Sequence, residues 1–138
     1  LIIGAAGQLG RALSRALPAA APITRDTLDL ASPESIKSFD FAGYRVVINA
    51  AGYTKVDAAE TKAGRREAWA VNVGGVAALV EAARQHHLTL VHISSDYVFD
   101  GSEPLHTENE PFSPLGVYGQ TKAAGDAVVG SAGIRKSE

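Results

Sequence analysis

The chain has 138 residues, 46% of them hydrophobic and 20% charged, with a formal net charge of −2 and no cysteine. That length suits one compact domain, and the slightly acidic balance, with no block of lysines or arginines, argues against sequence-independent binding to nucleic acid or to an anionic membrane surface. The lack of cysteine removes disulfides and thiolate chemistry; no stretch nears the roughly 20 apolar residues that span a bilayer, no signal-peptide layout opens the chain, and a cytoplasmic protein is expected.

Taken in chain order, an apolar strand over residues 1–3 runs into GAAGQLG, with Gly4, Gly7 and Gly10 three apart, and a helical pattern comes next over 8–17. A weak strand over 22–24 ends in Thr24, Arg25 and Asp26, and an LDL segment with Asp29 and Leu30 comes after it. A short helix opens at Ser32 or Pro33, because serine caps free amides and proline fits where no amide partner exists. RVVINA, over 45–50, is a third strand, continued by NAAGYT at 49–54. A long helix is expected across 63–84, where Trp69, Asn72, Val73, Val76, Val80 and Ala83 recur at spacings of three and four and predict one buried stripe. LTLVHI, over 88–93, is a fourth strand, and it delivers SSDYVFDG. A Pro-rich loop, HTENEPFSP, leads to a last helix that begins between 113 and 118 and runs to about 129, with Gly130 and Gly133 ending it. Residues 134–137 read either as the start of a fifth strand or as part of a gap.

Strand and helix alternate, and parallel strands need crossovers of about these lengths. The expected fold is α/β: a Rossmann-type doubly wound parallel sheet with helices on both faces. Such sheets bind ligands beyond the carboxyl ends of their strands, where the strand order reverses, so chemistry is expected in the residues just after each strand.

The glycines of GAAGQLG suit a dinucleotide: one makes the tight turn, one admits the pyrophosphate, one lets helix and strand pack closely. The helix after them offers its free amides to phosphate, and Gln8 and Leu9 belong to the same contact set. Arg25 at the end of the second strand suits the 2′-phosphate of NADP; the alternative is a solvated loop charge. Asp29 would stand beside the adenine with Leu30 as apolar cover, or serve as a turn acid. Ala50, Ala51 and Gly52 would let the chain pass close to ribose and phosphate, or mark a packed strand end with a turn. At the fourth strand end, Ser94 and Ser95 bring hydroxyls to the edge where a nicotinamide would lie. Twenty-three residues after Ser95, Tyr118 opens YGQTK, so that Tyr118 and Lys122 share a helix face. An ammonium there favours negative charge on the phenol oxygen, so Tyr118 is expected to protonate a developing alkoxide while hydride arrives from the cofactor. Ser95 would hold that oxygen by a hydrogen bond.

GAAGQLG, NAAGYTKVDAAE, AWAVN, SSDYVFDG and SPLGVYGQTKAAG stand in the order and spacing of the extended short-chain dehydrogenase/reductases, which the chain resembles over nearly its whole length. More narrowly it resembles the dTDP-4-dehydrorhamnose reductases. That resemblance implies NADPH, with NADH admitted, as the reductant of the 4-keto group of dTDP-4-dehydro-6-deoxy-L-mannose, giving dTDP-L-rhamnose. It implies Ser95, Tyr118 and Lys122 as catalytic residues, with Ser95 where relatives often have threonine and Lys122 also a ribose ligand. It implies Gly4, Gly7, Gly10, Ala50, Ala51 and Tyr53 as cofactor contacts, with Val71 and Asn72 at the helix position that faces the cofactor; Ser94, Tyr118 and Lys122 complete the cofactor set. Tyr97 after Asp96 separates the chain from related 4,6-dehydratases, which place an acid there, and Ile3 replaces a common threonine with little expected effect. Family members continue into a smaller substrate portion, so residues 1–138 are expected to be the NAD(P)-binding domain, stopping near the start of the fifth strand. Expected partners are a small-molecule nucleotide sugar, with no nucleic acid and no membrane, and a homodimer is allowed.

Other polar groups have plainer readings. His86 and His87 end the long helix, where a cation favours the dipole; neighbouring side chains diverge around a helix, so no metal site is expected. His92 is expected in the core or on a sheet face. His106, Glu108 and Glu110 either border the substrate or face solvent. The function from another class is a dinucleotide-binding regulatory subunit, because the regulatory beta subunit of methionine adenosyltransferase resembles the same family; another sugar-nucleotide reductase or epimerase also fits. Intact Ser95, Tyr118 and Lys122 favour catalysis.

Overall fold

The computed structural model describes residues 1–107 and 109–132. Glu108, Gly133 and the expected fifth-strand start at 134–137 lie outside them. Four strands, β1 (Ile2–Ile3), β2 (Pro22–Ile23), β3 (Val46–Asn49) and β4 (Thr89–His92), form one sheet in the order β2-β1-β3-β4, and every pair is parallel. The chain moves one way across the sheet from β1 to β2 and the other way from β2 through β3 to β4. With right-handed crossovers, the two directions put their helices on opposite faces. Accordingly α1 (Gln8–Ala16) lies against β1, whereas α2 (Pro33–Ser38), α5 (Val76–Gln85) and α6 (Val117–Ser131) pack side by side. The order reverses between β1 and β3, which is where a doubly wound sheet opens a crevice.

Alternation along the strands decides what the sheet buries. Val47 and Leu90 face the core while Val46 and Thr89 are exposed. Two residues further toward the carboxyl end, the same buried face carries Asn49 opposite His92. The core is therefore apolar through its middle, with Ile3, Leu28, Ile36, Phe41, Leu79 and Val129 fully covered, and polar at the edge where the crevice opens.

Most elements follow from local chemistry. Ser32 accepts a hydrogen bond from the Ser35 amide at 3.3 Å and Pro33 takes the first helical position, which starts α2 as expected. His87 closes α5 in the left-handed region at φ 55, a backbone state that commonly follows a helix end.

The long helix departs from expectation. It runs as α4 (Lys62–Trp69), a π turn over Ala70–Gly75 and then α5, preceded by a short α3 (Val56–Ala59) with no counterpart in the pattern. Thr61 caps α4 by accepting from the Gly64 amide at 3.0 Å. Trp69 does not join the buried stripe; it is 41% exposed, and Ala68 takes its place at 0%. The buried row is Gly64, Ala68, Asn72, Val76, Val80, advancing four residues at a time. On a helix of 3.6 residues per turn such a row drifts by about 40° per step, and the wider turn absorbs the drift. The last helix also differs, since α6 passes through Gly130 to Ser131. Packing decides this: Val129 is fully buried, and burying a valine outweighs the ~1 kcal/mol that glycine costs within a helix.

Candidate active site

The glycine loop turns on Gly4, whose φ of 83 lies in the left-handed region. The turn is pinned on the β2 side by the Gly4 and Ala5 amides, which both donate to the Ile23 carbonyl at 3.0 Å. A Cβ on Gly4 would lie 2.7 Å from the Ala51 nitrogen, and one on Gly10 only 2.1 Å from the Gly4 carbonyl oxygen. Both positions are closed to a side chain by backbone. Gly7 differs: it is exposed, and the nearest atom to a Cβ there is the Gly4 oxygen at 3.3 Å. It also stands at the N-cap of α1 with no side-chain cap, so the first amides of that helix face the crevice unobstructed.

Two adjoining cavities, of about 620 and 530 Å3, open over this loop and share Gly4, Arg25, Ala51, Gly52, Tyr53 and Thr54. The larger is lined on one side by Gly7, Gln8 and Leu9 and on the other by Ala50, Ser94, Tyr118 and Lys122. The smaller carries Asp29, Leu30, Lys55, Arg66 and Val71. Two adjoining cavities with a glycine cradle between them and a free helix N-terminus on the larger one fit a dinucleotide in chemistry.

Between the two cavities, Arg25 donates from Nε to Asp29 Oδ2 at 3.2 Å, while Asp29 Oδ1 accepts from the Ala31 amide at 2.9 Å. Arg25 is exposed at 77% of its side chain. Asp29 is therefore both a turn acid and the partner that steers Arg25. Leu30 is buried at 4% and still lines the smaller cavity.

Asn72 is placed behind the wall. It is 2% exposed; its oxygen accepts from the Tyr53 amide at 2.8 Å, and its NH2 donates to the Tyr53 carbonyl at 3.1 Å and to Thr121 Oγ1 at 3.0 Å. These three hydrogen bonds hold Tyr53 and α6 in place, and neither cavity is lined by it.

Tyr118 is the second residue of α6, 9% exposed, with the Tyr97 ring edge-on at 5.3 Å. Its helix begins in an unexpected way: the N-cap Gly116 has no side chain, and Glu60, 57 residues earlier, accepts from the Val117 amide at 2.7 Å. A carboxylate at a helix start both satisfies an orphan amide and meets the dipole. One turn on, the Lys122 ammonium donates to the Ile93 carbonyl. The two serines part company. Ser94 lines the cavity with Tyr118 and Lys122 and donates to Asp126. Ser95 caps the 3-10 turn Asp96–Val98, accepting from the Tyr97 amide at 3.3 Å and donating to Asp96 at 3.2 Å, and lines neither cavity.

Thr54, Lys55, Arg66 and Glu67 on the cavity wall were not in the expected set, nor were Glu60, Asn49, Thr121 and Asp126 behind it. Of the last four only Asp126 had a local signal, standing four residues after Lys122 on one helix face. His106 pairs with Glu110 at 2.9 Å and stacks on Phe99 at 4.2 Å, which folds the Pro-rich loop on itself. Among the described residues no cluster suits a metal ion and no helix is long and apolar enough to cross a membrane.

Burial, followed by the neighbouring Lys122 ammonium, pushes the His92 imidazole down to about 4 from its ordinary 6.5. Between those values the unfolded chain binds more protons than the folded one. The contribution of this group to stability is thus fully present above its unfolded pKa and is lost as pH falls toward about 4, by on the order of 3 kcal/mol. Urea midpoints from pH 7 down to 4 are expected to fall steeply for the wild type and less steeply for His92→Gln; equal slopes would place the titrating group elsewhere.

Comparison with known proteins agrees with the geometry. The chain is 40% identical over 136 residues to the dTDP-4-dehydrorhamnose reductase of Aggregatibacter actinomycetemcomitans, a match covering 94% of this chain and 46% of the relative. It is 41% identical over 136 residues to a dTDP-4-keto-6-deoxy-D-glucose reductase of Streptomyces niveus, again covering 94% and 46%. The crystal structure of dTDP-4-dehydrorhamnose reductase from Bacillus anthracis in complex with NADP superposes with a TM-score of 0.88 at 33% identity, covering 98% of this chain and 49% of that one. The chain therefore spans about half the length of the curated relatives it matches. The family model described as RmlD substrate binding domain matches residues 1–136, over the glycine loop, the fourth strand end and the YGQTK helix alike. The chain belongs to the RmlD substrate binding domain family.

Proposed function

We propose that the full-length protein is a cytoplasmic reductase that uses NADPH to convert the 4-keto group of dTDP-4-dehydrorhamnose to the alcohol of dTDP-L-rhamnose. The observation that carries this is the larger cavity, which puts the glycine loop on one wall and Ser94, Tyr118 and Lys122 on the other. The relatives named as reductases of dTDP-4-keto sugars support the substrate class.

The glycine loop, with Gln8 and Leu9 at the start of α1, would hold the pyrophosphate, and Ala50, Ala51 and Tyr53 would line the ribose and nicotinamide side. Arg25, steered by Asp29, would meet the 2′-phosphate, with Leu30 beneath the adenine. Asn72 contributes by fixing Tyr53. When bound, the cofactor supplies hydride to the carbonyl carbon. Tyr118 delivers the phenolic proton to the carbonyl oxygen, and Lys122 opposes the charge left on the phenolate while reaching the ribose. Ser95 is proposed to hold the same oxygen, which requires its side chain to leave Asp96 and the Tyr97 amide and enter the cavity; Ser94 already stands on that wall.

Mixing the full-length protein with NADPH and dTDP-4-dehydrorhamnose is expected to oxidise the cofactor and yield dTDP-L-rhamnose. A rate no higher than without the sugar nucleotide would overturn the assignment. Arg25→Ala is expected to weaken NADPH binding about tenfold, the size of one charge-assisted contact at an exposed site, and to leave NADH binding nearly unchanged. Equal losses for both cofactors would remove Arg25 from the 2′-phosphate.

A further inference from the structure

Beneath the Tyr118–Lys122 pair are three buried polar side chains with no part in the reaction proposed above: Asn49, 1% exposed, His92, 4%, and Asp126, 3%. Asn49 and His92 are hydrogen-bonded to each other, and His92 faces Asp126. Asn49 Oδ1 accepts from the Ala51 amide at 3.1 Å, so the NH2 end faces His92 Nδ1, also at 3.1 Å. That ring nitrogen must accept, and the proton of the neutral imidazole therefore resides on Nε2. Nε2 is directed at Asp126 Oδ1, 3.6 Å away. The other carboxylate oxygen, Oδ2, takes the hydroxyl proton of Ser94. Donor groups thus approach both oxygens of Asp126, an arrangement that suits a carboxylate and would waste the proton of a carboxylic acid.

Lys122 is also buried, at 6%, one turn before Asp126 on α6, and its ammonium donates to the Ile93 carbonyl. A carbonyl offers a dipole but no charge, and burial without an opposite charge favours the neutral amine over the ammonium. The titratable groups near Lys122 are Tyr118 and Asp126 from its own helix and His92 from β4, with Tyr53 and Arg25 on the opposite side of the cavity. Of these only Asp126 carries a carboxyl group, the one group here that can supply negative charge to the lysine.

We propose that Asp126 is a positioning residue, the buried counter-ion that keeps Lys122 cationic beside Tyr118, held by Ser94 on the cavity side and by the Asn49–His92 pair on the sheet side. It rests on the reading of Tyr118 and Lys122 as the reacting pair. The electrostatics run the same way: burial lowers the Lys122 pKa from its ordinary value and Asp126 opposes that shift. His92 is kept neutral, so the aspartate charge stays available to the lysine.

The test is the pH profile of NADPH oxidation by the full-length protein in wild type, Asp126→Asn, Asp126→Glu and Tyr118→Phe. Asp126→Asn is expected to move the alkaline limb of kcat down by about one pH unit or more, and Asp126→Glu to return it to near the wild-type position. An Asp126→Asn protein that binds NADPH normally and keeps the wild-type limb overturns the counter-ion role. The wild type gives an independent readout through NMR of 13C-labelled lysine, with Lys122 identified from the Lys122→Arg spectrum. Its ammonium is expected to persist at pH 8, and a neutral amine there overturns the proposal even if the Asn variant does not fold. Tyr118→Phe with wild-type activity would instead sink the underlying reading of the reacting pair, and is distinguishable because the limb of Asp126→Asn is irrelevant to it.

Discussion

On the proposed reductase reading, replacing Tyr118 with phenylalanine in the full-length protein is expected to lower kcat/KM about 10³-fold, near 4 kcal/mol of transition-state stabilisation, with NADPH binding close to wild type. The ring packs with Tyr53, Ala68 and Val117 and meets Tyr97 edge-on, contacts that phenylalanine preserves. No hydrogen bond within the described residues is made by the phenol oxygen in these contacts, so the fold has little to lose with it. Only the proton at the cavity wall goes. Stopped-flow NADPH oxidation with dTDP-4-dehydrorhamnose, beside fluorescence titration of NADPH, checks both halves; a variant that turns over within tenfold of wild type would leave the protonation to another group.

The second large effect concerns the backbone. Gly10→Ala is expected to destabilise the protein by roughly 3 kcal/mol and to abolish NADPH binding, although alanine is the better helix former by about 1 kcal/mol. The added carbon would lie 2.1 Å from the Gly4 oxygen and 2.7 Å from the Ala5 Cα, both main-chain atoms that cannot rotate away. To admit it, α1 must move off β1, and the loop that the helix opens from moves too. Gly7→Ala is the contrast: with its nearest contact at 3.3 Å the fold is expected to hold while phosphate access suffers. Urea midpoints separate the two, and equal midpoints for both variants would refute the clash argument.

Sequence patterning disclosed the sheet because each strand is an apolar run ending in a turn, and the chain's punctuation is local. β3 and β4 fall within residues 45–50 and 88–93, and the caps at Ser32 and the glycines after β1 act through neighbours a few residues away. Trp69 misled because a 3.6-residue period assumes one uniform helix, whereas a π turn begins right after that residue. Gly130 misled because propensity is weak beside the burial of Val129. The cavity-lining residues were foreseen where they stand just past strand ends, as with Ser94, or share a helix face, as with Tyr118 and Lys122. Glu60 was not, since a cap supplied from 57 residues away leaves no trace in spacing. Nor was the commitment of Asn72 to the Tyr53 backbone, which a stripe of helical residues cannot distinguish from a cofactor contact.

The wide turn at Ala70–Gly75 divides one rod between two audiences. Ala68, ahead of it, belongs to the small cluster around Tyr53 and Tyr118, while Val76, Leu79 and Val80, behind it, belong to the main core. Substitutions before the turn should therefore be felt first in turnover and those after it in melting temperature, and deleting one residue from the turn would leave the two halves of the rod unable to satisfy both at once.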